Sequence, residues 1–292
     1  MKTLRKTIFW LLVFQLASVP LVVAQGTYTQ IDVPGAYSTS VVAINAVGDM
    51  VGEYFDITGQ HGFLLSQGDF KTIDVPNAPS TSATGINDVG QLVGVDGTGS
   101  GFLYDIATQT FTTIRYPGPA ELTSPAGINN AGTIVGTIQK KGTPVVDNAF
   151  VFCNGVFSLK AVMGSKSSFA TGINNVGDIV GDFLDPSGVY ESFILSSGKL
   201  RNISVPGVPS AIVIGTNDNQ VFVGVYEPKF GKIGQAGFVY ASKTFQLLVP
   251  PHTAYSYAAG VNNSGEVAGY YVGNDGNAHG FTWTPPGDAA KK

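Results

Sequence analysis

Six near-copies of one ten-residue phrase constrain this chain more than any other feature. They read AINAVGDMVG, GINDVGQLVG, GINNAGTIVG, GINNVGDIVG, GTNDNQVFVG and GVNNSGEVAG, anchored on Asn45, Asn87, Asn129, Asn174, Asn217 and Asn262. Successive anchors lie 42, 42, 45, 43 and 45 residues apart. A motif that performs chemistry is needed once, whereas a motif repeated at this period specifies architecture, one small sheet per repeat. Two further elements recur in phase. One is aromatic, around Phe63, Phe102, Phe150, Phe193, Phe238 and Phe281. The other is Val-Pro-like, at Val33-Pro34, Val75-Pro76, Tyr116-Pro117, Val205-Pro206 and Val249-Pro250; the copy near Val162-Met163-Gly164 lacks the proline.

Each repeat divides into four short strands. In the second copy they run Thr81 to Asn87, Gln91 to Val95, Gly101 to Asp105 and Thr110 to Tyr116, named A to D. All four are rich in β-branched or aromatic residues and bounded by turn residues. Between A and B, Asn87-Asp88-Val89-Gly90 puts Asn first and Gly fourth in a tight turn, where Asn bonds its own backbone and Gly takes a positive φ. The fifth copy has Gln220 at the glycine position, and Asn219 is expected to take the left-handed role there. The glycine before the motif, at Gly85, Gly127, Gly172, Gly215 and Gly260, sits in strand A, where it implies close backbone approach around an axis. The glycine that ends the motif, such as Gly94 or Gly136, is expected to allow bending or packing between sheets.

The two ends of the pattern are complementary. The sixth copy offers A near Tyr257 to Asn262, B at Glu266 to Tyr271 and C at Gly280 to Thr284, then stops at Pro285-Pro286 without a D strand. The segment Thr27 to Pro34 is a D strand with no A, B or C before it. Pairing the two closes a ring and removes two exposed edges. A linear β-solenoid would have shorter rungs and capping ends, and a β-sandwich would not repeat at fixed period. The expected fold is therefore all-β, a six-bladed β-propeller of four-stranded blades spanning 25–286. The N-terminal strand, 27–34, completes blade six, and 287–292 form a short tail.

Residues 1–24 stand outside the pattern. Lys2, Arg5 and Lys6 precede the apolar run Ile8 to Val13, and Val22-Val23-Ala24 precede Gln25, the pattern of a secretory signal peptide cut after Ala24. Gln15, Ser18 and Pro20 interrupt a run already short for a membrane span, and no later stretch is long enough for one. Without the three leader cations, the 16 basic residues fall to 13 against 20 acidic ones, a net charge of −7 that argues against a nucleic-acid partner. Only 12% of residues are charged and 38 are glycine, as suits a turn-rich sheet protein. Cys153 is the only cysteine, so no intrachain disulfide forms; its setting after Phe150-Val151-Phe152 reads as a buried strand thiol. The expected product is an exported monomer, extracellular or periplasmic.

The phrase G-I-N-x-x-G-x-I-V-G, followed by a tyrosine-containing segment and His-Gly-Phe, resembles the HAF family of probable extracellular repeats. Tyr54 to Leu64, YFDITGQHGFL, carries the second half most fully, and His279-Gly280-Phe281 repeats it. The resemblance covers Ile31 to Trp283. It implies an exported repeat protein and brings no catalytic residues with it. Gln220, Thr216 in place of Ile or Val, and the loss of His-Gly in the middle copies are departures.

No catalytic constellation stands out. His61 and His279 occupy the same repeat position before Gly-Phe, which reads as a shared structural turn rather than as metal ligands or bases, and His252 falls in a D-to-A loop. There is no H-E-x-x-H, no paired cysteine set, no EF-hand loop and no G-x-S-x-G elbow. Asp56-Ile57-Thr58-Gly59 and Asp185-Pro186-Ser187-Gly188 hint at calcium only faintly, since Asp followed by Gly three residues on is ordinary turn chemistry. Glu53, Asp182 and Glu227 follow B strands and are candidate carboxylates for a glycan hydrolase or lyase, but they form no recognisable pair. The D-to-A and B-to-C loops share one face and vary most between copies. A candidate ligand-binding face there comprises Tyr37, Phe55, Asp56, Lys140, Tyr190, Phe230, His252, Tyr255 and Asp275, with the six anchor asparagines as structural turn residues. Glu121, Lys141, Lys166 and Lys229 belong to the same loops. The reading is a non-catalytic binding or interaction module for cell-envelope carbohydrate or protein, with no cofactor.

Overall fold

A computed structural model describes residues 22–140, 142, 146–160, 162, 164–205, 208, 211–227 and 235–286. The chain begins with β1 (Val22–Val23) and β2 (Thr27–Ile31), then lays down blade one as β3 (Ser38–Ile44), β4 (Met50–Asp56), β5 (Gly59–Ser66) and β6 (Asp69–Ile73). Blade two is β7 (Thr81–Ile86), β8 (Gln91–Asp96), β9 (Gly101–Asp105) and β10 (Thr110–Ile114). Blade three is β11 (Ala120–Ile128), β12 (Ile134–Lys140), β13 (Val146–Cys153) and β14 (Val156–Leu159). Blade four is β15 (Ser167–Ile173), β16 (Ile179–Leu184), β17 (Tyr190–Ser196) and β18 (Lys199–Ile203). Blade five is β19 (Ala211–Thr216), β20 (Phe222–Tyr226), β21 (Ala236–Ala241) and β22 (Thr244–Leu248). Blade six holds β23 (Thr253–Val261), β24 (Val267–Gly273) and β25 (Ala278–Thr284). Each blade is an antiparallel sheet in chain order, and the six first strands line a central channel. The fold is a six-bladed β-propeller.

The missing strand of blade six arrives from the other end of the chain. β2 pairs antiparallel with β25, Thr27 opposite Thr284 and Ile31 opposite Gly280. The ring is thus shut by backbone hydrogen bonds, which also cover an edge that would otherwise be open to another chain. β1 runs parallel to β22, with Val22 opposite Gln246 and Val23 opposite Leu247. The Ala24 amide donates to the Leu247 carbonyl at 2.7 Å, and its side chain is buried beside Trp283 and Leu248. The cleavage point expected after Ala24 therefore ends a segment that packs on blade five.

The recurring phenylalanines form the blade cores. Phe63, Phe102, Phe150, Phe193, Phe238 and Phe281 are each buried to 2% exposure or less. Full burial of such a side chain stabilises a fold by about 2–3 kcal/mol, so one core residue per blade is a substantial repeated contribution. This aromatic also explains the glycine that ends each motif. In every blade the first strand bulges, shifting register between Ala83 and Gly85 in blade two and at the matching positions elsewhere. The bulge leans the Ser82 carbonyl toward Gly94: a Cβ there would lie 2.1 Å from that oxygen and 2.6 Å from the Phe102 ring. The expectation that this glycine serves bending or packing between sheets is thereby corrected, because the close approach lies within the blade. The glycine before the motif does face its neighbour, and a Cβ on Gly85 would come within 3.0 Å of the Gly127 Cα.

The anchor asparagines join turn to turn around the ring. The Asn129 Oδ1 accepts from the amides of Ala131 and Thr133 at 3.1 and 3.0 Å, closing its own turn, while Nδ2 donates to the Asn174 carbonyl of the next blade at 3.3 Å. Equivalent bonds link Asn45 to Asn87, Asn87 to Asn129, Asn174 to Asn217 and Asn217 to Asn262 at 2.8–3.3 Å. A buried carboxamide that satisfies three backbone groups accounts for its repetition. In the fifth turn Gln220 itself adopts the left-handed conformation, φ 54°, correcting the expectation for Asn219. Its Nε2 donates to Asp178 of blade four at 2.9 Å, which helps to hold the strained backbone in place.

Candidate functional site

The up-and-down order of each blade puts the D-to-A and B-to-C connections on one face of the disc and the A-to-B turns on the other. On the A-to-B face the channel mouth carries a crown of polar side chains, Asp88, Asn130, Asn175, Asp218 and Asn263, one residue after five of the six anchor asparagines, with Ala46 at the sixth position. Asp88 accepts from the Ala46 amide at 2.7 Å, from Asn130 Nδ2 at 2.7 Å and from Asn175 Nδ2 at 3.5 Å, so it reaches across to a blade two positions away. Asp218 accepts from the Asn175 amide and from Asn263 Nδ2, both at 2.7 Å. The channel behind this crown has a volume of about 320 Å³ and is lined in part by Ile44, Ile86, Ile128 and Ile173. Most of the crown's oxygens are committed to neighbouring blades, a structural use.

The opposite face gathers aromatics. On blade one Tyr37, 54% exposed, lies 6.4 Å from Phe55, centroid to centroid, and its amide donates to the Phe55 carbonyl. On blade four Tyr190 lies 6.3 Å from Phe169. The largest group belongs to blade six. Tyr257 and Tyr270, cross-strand partners on β23 and β24, stack at 4.8 Å and 15°. Tyr255 meets Tyr257 edge-on at 5.9 Å. The Tyr257 hydroxyl donates to Gln235 Oε1 of blade five. Burial, with the charges of Tyr257, nearby Glu53 and Tyr255, pushes the Tyr270 phenol up to about 12. Burial likewise raises Tyr257, helped by Tyr255 and Glu227. Glu53 accepts from Gln60 Nε2 at 2.6 Å.

Tyr257 and Tyr270 were outside the loop-based reading because they lie in strands. Alignment of the repeats reveals them. The matching cross-strand pairs are Ser40–Glu53, Ser82–Val95 and Ser124–Thr137 in blades one to three. Blades four and five hold Phe169–Asp182 and Ile212–Val225. Only blade six places aromatic residues on both strands.

The remaining expected residues are dispersed. Asp56 and Asp275 belong to two equivalent histidine clamps. His61 sits between Asp74, 2.8 Å from Nδ1, and Asp56, 3.4 Å from Nε2, stacked on Tyr54. His279 lies between Asp32, 3.1 Å from Nδ1, and Asp275, 3.2 Å from Nε2, beside Tyr271. In each clamp the carboxylates bracket opposite ring nitrogens and cannot converge on one ion. Among the described residues, no group of three or more His, Cys, Asp or Glu could hold a metal. The Asp56 and Asp185 carboxylates close their own turns, onto Thr58 and onto Ser187 and Val189 respectively. Lys140 ends β12, and His252 occupies the D-to-A turn into blade six with φ 60°. Phe230, Lys141 and Lys229 lie outside the described residues. Glu53, Asp182 and Glu227 arise from blades one, four and five, respectively. Burial pushes the Asp182 carboxyl up to about 7.

No family model and no curated protein matches this chain. Solved structures do. The Aleuria aurantia lectin in complex with α-methyl-L-fucoside is similar with a TM-score of 0.53 and 11% identity, over 88% of this chain and 99% of the lectin. TolB from Acinetobacter baumannii is similar with a TM-score of 0.52 and 11% identity, over 86% of this chain and 65% of TolB. YCF48 bound to D1 peptide gives 0.50 and 11%, over 94% of this chain and all of that one. At these identities the likeness concerns the fold.

Proposed function

We propose that this chain is an exported, non-catalytic carbohydrate-binding propeller, and that it acts on the face carrying the D-to-A and B-to-C loops. One observation carries the reading: the tyrosine cluster of blade six, open on that face and bordered by carboxylate and carboxamide side chains. Tyrosine offers a rigid apolar ring at small entropic cost together with a polar handle, and planar acceptors and donors beside it suit the hydroxyls of a sugar. Similarity of fold to fucoside-binding lectins supports this reading. So does the HAF-like repeat, which implies export; the leader of 1–24 is removed in the same picture. A glycan array probed with the labelled chain is the test. Reproducible binding to a glycan group, competed by the free sugar, is the expected result; binding only to peptides or envelope proteins would overturn it.

A second reading, glycan hydrolysis or elimination, draws on Asp182, whose carboxyl is pushed up to about 7 and is suited to general-acid work near neutrality. Turnover of an array-positive glycan that is lost in Asp182→Asn would favour it.

A further inference from the structure

We propose that the molecule carries a single saccharide site, on blade six between its neighbours five and one, and that this site takes an uncharged sugar residue packed against Tyr255, Tyr257 and Tyr270. The proposal rests on the carbohydrate-binding reading above and adds location, number and ligand class to it.

Number follows from the repeat. A site built from residues common to all repeats would occur six times around the ring. The stacked Tyr257–Tyr270 pair occupies a cross-strand position that holds Ser–Glu, Ser–Val or Ser–Thr in blades one to three, and Phe–Asp or Ile–Val in blades four and five. Among the described residues, an aromatic pair at this cross-strand position therefore exists once. Tyr255, 38% exposed, stands edge-on to it and presents ring surface outward.

Ligand class follows from the border. Glu53 from blade one is held by Gln60 at 2.6 Å, and Gln235 from blade five is held by the Tyr257 hydroxyl, so acceptors and donors flank the platform in fixed positions. Glu53 and Glu227 lie close enough to raise the phenols of Tyr270 and Tyr257, respectively. None of the strands β3, β4, β20, β21, β23 and β24 carries a lysine or arginine. Among the described residues, a carboxylate on the sugar would face Glu53 and Glu227 and meet no lysine or arginine of these strands, and a partly desolvated setting makes such a contact costly. A sugar with an apolar ring face and only hydroxyls meets no such penalty.

The experiment is calorimetric titration of the whole chain with array-positive neutral oligosaccharides and with their uronic-acid counterparts. It is repeated for Tyr255→Ala, Tyr270→Ala and Glu53→Gln, with Val156→Ala, an exposed residue on the outer strand of blade three, as a control. The expected result is one bound glycan per chain, affinity at least tenfold weaker in Tyr255→Ala and Tyr270→Ala, and no change in Val156→Ala. Uronic acids should bind at least tenfold more weakly than neutral sugars, a gap that narrows in Glu53→Gln. Tyr255 is surface-exposed, so its variant keeps the test valid if Tyr270→Ala fails to fold. Glycan binding at two or more sites, or binding unaffected by Tyr255→Ala, would overturn the site and leave the carbohydrate reading standing. No binding to any glycan would overturn both.

Discussion

Asp182 should limit the stability of this propeller at neutral pH. It lies on the same side of β16 as Val180, which packs into the core shared with blade five, and burial pushes its carboxyl from 3.8 up to about 7. Because the folded chain holds this proton more tightly than the unfolded chain does, stability falls as pH rises from about 4 through about 7. A shift of that size corresponds to about 4 kcal/mol at about 1.4 kcal/mol per pH unit. Asp182 keeps a strip of solvent contact, and screening there reduces the expected penalty to about 2 kcal/mol. In Asp182→Asn the ionisation is absent. The carboxamide has its own hydrogen-bonding needs, but these do not vary with pH, so the pH dependence of the difference isolates the charge. Urea unfolding of both proteins at pH 4.5 and pH 8 is the assay. The variant should gain about 2 kcal/mol on the native chain between the two conditions. Other titrating groups are common to both proteins and cancel. A stability difference that is the same at pH 4.5 and pH 8 would refute the reasoning.

Three further outcomes follow from the geometry. Gly94→Ala drives a Cβ to 2.1 Å from the Ser82 carbonyl oxygen and should destabilise by about 3 kcal/mol or prevent folding, read by thermal melting and soluble yield. Asn129→Ala removes the acceptor of two turn amides and the donor to Asn174, and a loss of about 2–4 kcal/mol in urea unfolding is expected. For His279 burial disfavours the charged form, but the hydrogen bonds and charges of Asp32 and Asp275 outweigh it and raise the imidazole above 6.5. Its contribution is full below the unfolded value and is lost as pH rises through the folded one, so His279→Ala should destabilise more at pH 5.5 than at pH 9; equal losses would refute the clamp.

The architecture was legible because each repeat writes the same few physical constraints. Strand C of blade two falls on Gly101–Asp105 as read, and the other strands of that blade differ by one or two residues at their ends. The closing strand was legible from the complementary ends of the pattern, since an unpaired D strand and a missing one call for each other. Other features needed three dimensions. Gly94 answers to a bulge on the neighbouring strand, which no local propensity signals. Gln220 takes a conformation unusual for its type because Asp178, 42 residues earlier in sequence, receives its side chain. The candidate site was only half visible: Tyr37, Phe55 and Tyr255 stand in or beside loops, where binding residues are sought first. Tyr257 and Tyr270 sit inside strands that look ordinary until the six copies are compared position by position.

The chain of asparagine bonds has a consequence for how this ring is held shut. Five of the six junctions between blades carry the carboxamide link together with a backbone bond to the crown. At the sixth, between blades six and one, Asn262 turns instead to Glu266, and Ala46 has no side-chain acceptor for the Asn263 amide. Cohesion at that junction falls instead to strand packing, β24 and β25 against β3, and to the Ala278 amide, which donates to the Ser38 hydroxyl at 3.0 Å. The asparagine girdle is thus an open chain of five links on one face, while the ring is held shut from the other end of its blades.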